Sequence, residues 1–172
     1  MAAPQKSQGG PTLLPGFDSG QEWRIRQALD GIKTSTGCEE AFVQATGSKP
    51  SDLINQSVIG AAFLLGNPDN NQMAGITEDA RSKYSGIRGS SYTQAVTLHN
   101  WPGFANETLD ARSRIFLNPS AFQGGNYSLQ EVLTHELLHV AGWPPSGRFR
   151  SLFNRTDLSH YDKYDEIMAA CN

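Results

Sequence analysis

The segment SLQEVLTHELLHVAGWPP, from Ser128 to Pro145, predicts a helix whose two ends are both marked in the sequence. Ser128 is followed three residues later by Glu131, which is the capping-box pattern of a helix N-terminus. Gly142 and the two prolines that come after it are typical of the end of a helix. The chain is therefore expected to form a helix of about four turns at this position.

The apolar residues of this segment indicate that the helix is buried on nearly all sides. At about 100° per residue, one apolar stripe is expected to face the core. The stripe consists of Leu129, Leu133, Leu137 and Val140. His135 and His139 lie on the opposite side, flanked by Val132 and Leu138. A helix that is apolar around most of its circumference belongs in a protein interior, so we expect both imidazoles in a cleft.

The spacing of His135, Glu136 and His139 predicts a hydrolytic metal site. Two neutral imidazoles at positions i and i+4 can bind one tetrahedral zinc ion. Glu136 is rotated away from the histidines and is poorly placed as a third ligand, but it can reach a water molecule on the metal. Zinc lowers the pKa of such a water, and a carboxylate can accept its proton during attack. We therefore expect the histidines to hold Zn²⁺ and Glu136 to be the general base.

The stretch HELLH, from His135 to His139, resembles the HExxH signature of the zincin metallopeptidases. The longer stretch HELLHVAG is similar to the first part of the metzincin motif HExxHxxGxxH, in which a glycine, here Gly142, lets the chain turn toward the third ligand. Pro145 stands at the position where metzincins have that third ligand. The resemblance covers these eight residues, and the third ligand has to come from elsewhere in the chain.

The resemblance implies an α+β, zincin-like fold, in which a small sheet packs on a central active-site helix with a C-terminal helix. It also implies a zinc metalloendopeptidase that acts on an extended peptide or protein substrate. The strand before the active helix would form the lip of the cleft, which makes Arg114–Asn118 the candidate edge strand; an interior strand is the alternative. A non-catalytic, zinc-containing binding or toxin-like module of the same fold is the alternative function.

Two histidines remain as candidates for the third metal ligand. In several zincin groups the last ligand comes from a segment after the active helix, which favours His160 in the C-terminal stretch DLSHYDKYDEIMAACN. His99 follows a predicted strand and is expected to be structural.

Carboxylates and phenols of the same C-terminal stretch are further candidates. Some zincins use a carboxylate ligand, so Asp162 and Asp165 are the alternatives to His160. A phenol near the metal can stabilise the oxyanion of a tetrahedral intermediate, which is a possible role for Tyr161 or Tyr164. Simple packing of these tyrosines against the helix is the alternative.

Length and charge restrict the class of protein. A chain of 172 residues corresponds to one domain, expected to be monomeric, and we assign residues 1–18 to a flexible tail and 19–172 to the domain. A formal net charge of -3 argues against nucleic acid as a partner. No apolar run is long enough to cross a bilayer, so no membrane association is expected.

Cys38 and Cys171 are far apart in sequence, and one disulfide between them is the favoured interpretation; two buried thiols are the alternative. The small, polar N-terminal stretch, rich in Pro and Gly, resembles the start of a secreted protein after removal of a signal peptide. We therefore expect a secreted or periplasmic protein.

The rest of the chain predicts helices, then strands, then helices, an order that indicates α+β. One helix is predicted around Trp23, Ile25, Leu29 and Ile32, and a second over Glu39–Ala45. The stretch PSDLINQSVIGAAFLL is predicted to be either helical or of mixed secondary structure. Strands are predicted at Ser91–His99 and Arg114–Pro119.

Overall fold

A computed structural model describes residues 10–101, 105–125, 127–143 and 158–172 of the chain. The helices are α1 Ser19–Thr34, α2 Thr36–Thr46, α3 Pro50–Asn55, α4 Asn71–Ala74, α5 Glu78–Tyr84, α6 Leu129–Val140 and α7 Leu158–Cys171. The strands are β1 Thr12–Leu13, β2 Ser57–Ala61, β3 Ala95–Leu98, β4 Asn100–Trp101, β5 Ala105–Asn106 and β6 Ser113–Leu117. The mixture of helices and a small sheet confirms the α+β class.

Four strands form the main sheet, in the order β1-β2-β6-β3. The pairs β1–β2 and β2–β6 are parallel, and β3 is antiparallel to β6, with Thr97 opposite Ile115. Strands β4 and β5 form a separate antiparallel pair. Strand β6, which contains most of the predicted edge strand Arg114–Asn118, is an interior strand, because it hydrogen-bonds to a neighbour on both sides. The edge next to α6 is β3.

Helix α6 packs against the face of this sheet and is covered by α1, α3 and α7. Ile25, Leu29 and Ile32 of α1 join the core that surrounds α6, as predicted. Trp23 was expected on the same stripe but is 63% exposed. It lies two residues before Ile25, which is about half a turn away, so it faces the opposite side of the helix.

A strand lies within the segment that the sequence assigned to a flexible tail. Thr12 and Leu13 pair with Val58 and Ile59 of β2, and the amide of Leu14 donates to the carbonyl of Ile59 at 2.9 Å. Two residues are too few to show the alternation by which a strand is recognised in a sequence. The prediction of a tail over residues 1–18 therefore fails for residues 12–13, and residues 1–9 lie outside the described part.

Asn118, directly after β6, fixes the loop that leads into β3. Its side-chain amide nitrogen donates to the carbonyls of Ile87 and Thr93, both at 2.7 Å, and its side-chain oxygen accepts from the amide of Gly89. Its main-chain amide donates to the carbonyl of Gln94. Asn118 is fully buried, so these four hydrogen bonds tie β3 to the end of β6.

Helix α7 is fastened at its C-terminal end. Cys171 forms a disulfide with Cys38 of α2, which confirms the predicted pairing, and both residues are buried. The Ser35 hydroxyl donates to the carbonyl of Ala170 at 2.8 Å, and the side chain of Gln130 donates to the carbonyl of Cys171. These contacts connect α7 to α2 and to the first turn of α6. Among the described residues, no helix has the length and apolar character needed to cross a membrane.

Replacing both disulfide cysteines, as in Cys38→Ser/Cys171→Ser, is expected to lower the free energy of unfolding by about 2–5 kcal/mol. The bond joins residues 133 positions apart, and closing a loop of that size restricts the unfolded chain strongly. Urea unfolding of the variant and of the wild type measures the difference. Wild-type protein unfolded with a reductant should match the variant, and an unchanged midpoint in both would contradict this prediction.

Candidate metal-binding site

Helix α6 carries the candidate site and begins as the sequence predicts. The Ser128 side chain accepts from the amide of Glu131 at 3.1 Å, and the Glu131 carboxylate accepts from the amide of Ser128 at 3.1 Å. The helix ends at Val140, after about three turns rather than four. Gly142 has φ +110°, a backbone conformation that L side chains rarely adopt, and it turns the chain back toward the helix.

His135, Glu136 and His139 form a group that could hold a metal ion. One ligand atom from each residue lies within 4.8 Å of the others. The Nε2 atoms of His135 and His139 are only 3.0 Å apart. Both imidazoles are half-buried, whereas Glu136 is 5% exposed. The i, i+4 spacing therefore brings two ring nitrogens to one point at the surface of a buried helix.

Each imidazole is held from behind by a hydrogen bond to its Nδ1 atom. His139 Nδ1 lies 2.8 Å from the carbonyl oxygen of Trp143, which the turn at Gly142 brings back to the helix. A carbonyl can only accept, so His139 Nδ1 carries the proton and Nε2 presents a lone pair. His135 Nδ1 lies 3.0 Å from the Tyr164 hydroxyl of α7. This arrangement is the one by which metal-ligating histidines are normally oriented.

Tyr164, which the sequence suggested as an oxyanion stabiliser, contacts the ring of His135. Its hydroxyl meets His135 Nδ1, on the side of the ring that points away from His139. Burial, with smaller contributions from the nearby Tyr127 and Asp165, raises the pKa of Tyr164 to about 12, so the phenol is neutral at pH 7. The Tyr164 hydroxyl is thus placed to orient the ring of His135.

Burial also favours the neutral form of His135. It lowers the pKa of His135; the Glu136 carboxylate acts in the opposite direction, and His139 lowers the pKa further. Metal ions bind the neutral form of imidazole, so a lowered pKa favours binding at neutral pH.

Glu136 is buried against the edge strand β3. Its Oε2 atom accepts a hydrogen bond of 2.6 Å from the Thr97 hydroxyl. A carboxylate buried without a partner would be costly, and this short bond to Thr97 offsets part of that cost.

His99 lies beside the site but belongs to a different set of contacts. Its Nδ1 atom is 3.3 Å from the Ser113 hydroxyl, and its main-chain amide donates to Glu107. Burial, and secondly the charge of His139, lowers the pKa of His99 to about 4. The structural role of His99 stays a prediction.

The other predicted site residues are on helix α7. The helix includes His160, Tyr161 and Asp162, but their side chains lie outside the described part of the chain. Asp165 is exposed and is not brought into the group formed by His135, Glu136 and His139. The choice of third ligand among His160, Asp162 and Asp165 therefore stays a prediction.

Two functional contacts were not found by sequence reasoning. The carbonyl of Trp143 is a main-chain group, and its position depends on the turn at Gly142 rather than on its side chain. Thr97 lies in a predicted strand, yet nothing in the sequence indicates which helix residue its hydroxyl meets. The alternation of Ala95, Val96 and Thr97 could have shown that Thr97 faces a buried layer, without naming Glu136.

In comparisons with known proteins, no family model, no curated protein and no solved structure matches the chain significantly.

Removing the Tyr164 hydroxyl, as in Tyr164→Phe, is expected to weaken metal binding about 10–100-fold, the usual cost of losing a partner behind a ligating histidine. The ring of Phe preserves the packing against His135, so the fold should be unchanged. Calorimetric titration with a divalent transition-metal ion measures the affinity. Tyr92→Phe, at a fully exposed tyrosine, is the matched control. Equal affinities for both variants would show that Tyr164 does not orient the site.

His99 is expected to make the metal-free protein less stable in acid. Its pKa is about 4 in the folded protein and about 6.5 in the unfolded chain, so between these values only the unfolded chain takes up the proton. The stability contributed by neutral His99 is complete above pH 6.5 and decreases, by up to about 3 kcal/mol, as the pH falls to 4.

Urea unfolding in the presence of a chelator, from pH 7 to pH 4, tests this prediction. The variant His99→Asn, which retains a polar atom near the position of Nδ1, should show a flatter dependence on pH. Parallel curves for the wild type and the variant would contradict the assignment to His99.

Proposed function

We propose that this protein is a zinc-dependent metalloendopeptidase in which His135 and His139 hold the metal and Glu136 is the general base. One observation carries the proposal: two histidine Nε2 atoms, each ring held through Nδ1, converge to 3.0 Å beside a buried carboxylate. This set of groups has no evident purpose in a purely structural core.

The donor set fits zinc. With Zn–N bonds of 2.0–2.1 Å and a tetrahedral angle, two imidazole nitrogens bound to the same ion are about 3.3 Å apart. The separation of 3.0 Å between the two Nε2 atoms needs only a small adjustment of the rings to reach that value. Neutral nitrogen donors are ligands that zinc prefers in proteins.

The chemistry is divided between the metal and Glu136. Bound zinc would lower the pKa of a coordinated water and supply the nucleophile at neutral pH. Glu136 would accept the proton of the water as it attacks the peptide carbonyl, through Oε1 because Oε2 already accepts from Thr97. Glu136 would then give the proton to the leaving amine as the C–N bond breaks, while Tyr164 and Trp143 hold the rings of His135 and His139.

His160 is the third ligand in this proposal, with Asp162 and Asp165 as the alternatives. His160 precedes Tyr164 by one helical turn on α7. Tyr164 contacts His135, so this part of α7 lies next to the site. Tyr164, which contacts the ring of His135, and His160, the proposed third ligand, would then both belong to α7.

An extended peptide is the substrate that best fits the edge of the sheet. Strand β3 is at the edge of the described sheet, and its residue Thr97 contacts the general base. A peptide that pairs with β3 through main-chain hydrogen bonds would pass the site as an added strand. The arrangement of a small sheet, an antiparallel edge strand, a buried site-bearing helix and a C-terminal helix also supports the zincin-like fold.

Secretion is part of the same proposal. The Cys38–Cys171 disulfide indicates a non-reducing environment, which is typical outside the cytosol.

Glu136→Gln is expected to reduce peptide hydrolysis by at least about 10²-fold while the protein keeps about one zinc per chain. Glutamine has nearly the same shape and can still accept from Thr97, so folding should be preserved. Zinc content is measured by elemental analysis, and turnover is measured on a broad peptide library. His135→Ala/His139→Ala should instead lose the zinc, and His160→Ala should weaken its binding.

The variants separate the enzyme from a binding module. If the wild type holds zinc but cleaves no peptide, or if Glu136→Gln cleaves equally well, the peptidase proposal is wrong and a non-catalytic zinc module takes its place. Full zinc content in the double-histidine variant would exclude the site itself.

A further inference from the structure

We propose that Thr97 is the positioning residue of the general base: its hydroxyl, fixed on the edge strand β3, holds the Glu136 carboxylate in the orientation needed for proton transfer. This inference rests on the proposed function for its kinetic consequences, but the positioning can be tested without any activity.

The contact between the two side chains is short and buried. Thr97 Oγ1 donates to Glu136 Oε2 at 2.6 Å, which is in the range of hydrogen bonds from a hydroxyl to an ionised carboxylate. Thr97 is 9% exposed and Glu136 is 5% exposed, so water competes little for either group. The same hydroxyl is 3.5 Å from the main-chain carbonyl of Glu136, a much weaker alternative.

The donor is rigid and the acceptor is not. Threonine is β-branched, and its χ1 angle is restricted in a strand, so the position of Oγ1 follows the backbone of β3. That backbone is paired to β6, with Thr97 opposite Ile115. Glutamate has three rotatable side-chain bonds, and a bond to a fixed hydroxyl removes most of that freedom. Proton transfer requires such a fixed geometry, to within about 0.5 Å.

Side chains alternate between the two faces of the sheet along β3, and Thr97 is on the face toward α6. Val96 and Leu98 belong to the hydrophobic cluster around Phe116, on the other side of the sheet, whereas Ala95 packs with the core around α6. The edge strand to which a peptide would bind is thus also the strand that holds the base. A movement of β3 on substrate binding would be transmitted to Glu136 through one hydrogen bond.

Two substitutions separate the hydroxyl from the shape of the side chain. Thr97→Val keeps the branched shape and removes the donor, whereas Thr97→Ser keeps the donor and removes a methyl group. We expect Thr97→Val to lower kcat about 10–100-fold, as for a misplaced catalytic group, with KM and zinc content close to the wild type. Thr97→Ser should stay within about threefold of the wild-type kcat.

A double-mutant cycle shows whether Thr97 acts through Glu136. In the background of Glu136→Gln, the Thr97→Val substitution should have little further effect on kcat, because the group that it positions is already absent. A full, additive loss would overturn the proposal, and so would equal losses of kcat in Thr97→Val and Thr97→Ser.

Crystal structures of zinc-loaded Thr97→Val and Thr97→Ser give the readout that needs no activity. The Glu136 side chain should change its rotamer in the valine variant and keep it in the serine variant. An unmoved Glu136 in Thr97→Val would refute the positioning role even if the enzyme is active. If the wild type cleaves nothing, the peptidase proposal fails, while the rotamers still decide the role of Thr97. Should Thr97→Val not fold, Thr97→Ala removes the same donor and takes its place.

Discussion

The burial of helix α6 is the constraint on which the rest of the structure depends. Seven of its residues are buried, and helices α1, α3 and α7 and strand β3 all pack against it. Buried polar side chains on such a helix need hydrogen-bond partners. Glu136 accepts a hydrogen bond from Thr97, His135 hydrogen-bonds to the Tyr164 hydroxyl, and His139 hydrogen-bonds to the carbonyl of Trp143. The geometry of the site is thus a consequence of the requirement to satisfy buried groups.

These partners come from three separate parts of the chain. Thr97 belongs to the sheet, Trp143 follows α6 itself, and Tyr164 belongs to α7, whose C-terminal end is fixed by the Cys38–Cys171 disulfide. Each partner orients one group, and none of them lies between the two Nε2 atoms. The three partners thus fix the orientation of the side chains in the candidate metal-binding site.

The sequence predicted those features that depend on short-range patterns. The capping box at Ser128, the turn at Gly142 and the burial of α6 follow from residues a few positions apart, and the structure has all three. Apart from the Cys38–Cys171 disulfide, for which the chain has only two cysteines, features that depend on distant pairing could not be predicted. Strand β1 has two residues, the identity of the edge strand depends on the order of strands in the sheet, and the contact of Thr97 with Glu136 joins residues 39 positions apart. Tyr164 was a candidate from the sequence, but only the packing of α7 shows which side of His135 it meets.

The four hydrogen bonds of Asn118 have a consequence for the evolution of the site. Successive residues of a strand face opposite sides, so a shift of β3 by one residue would replace the Thr97 hydroxyl over Glu136 with the side chain of Val96 or Leu98. By binding the loop between Ile87 and Gln94, Asn118 sets the register of β3 before the strand begins. An insertion or deletion in that loop would therefore change which side chain of β3 faces Glu136, so the length of the loop is constrained together with the site.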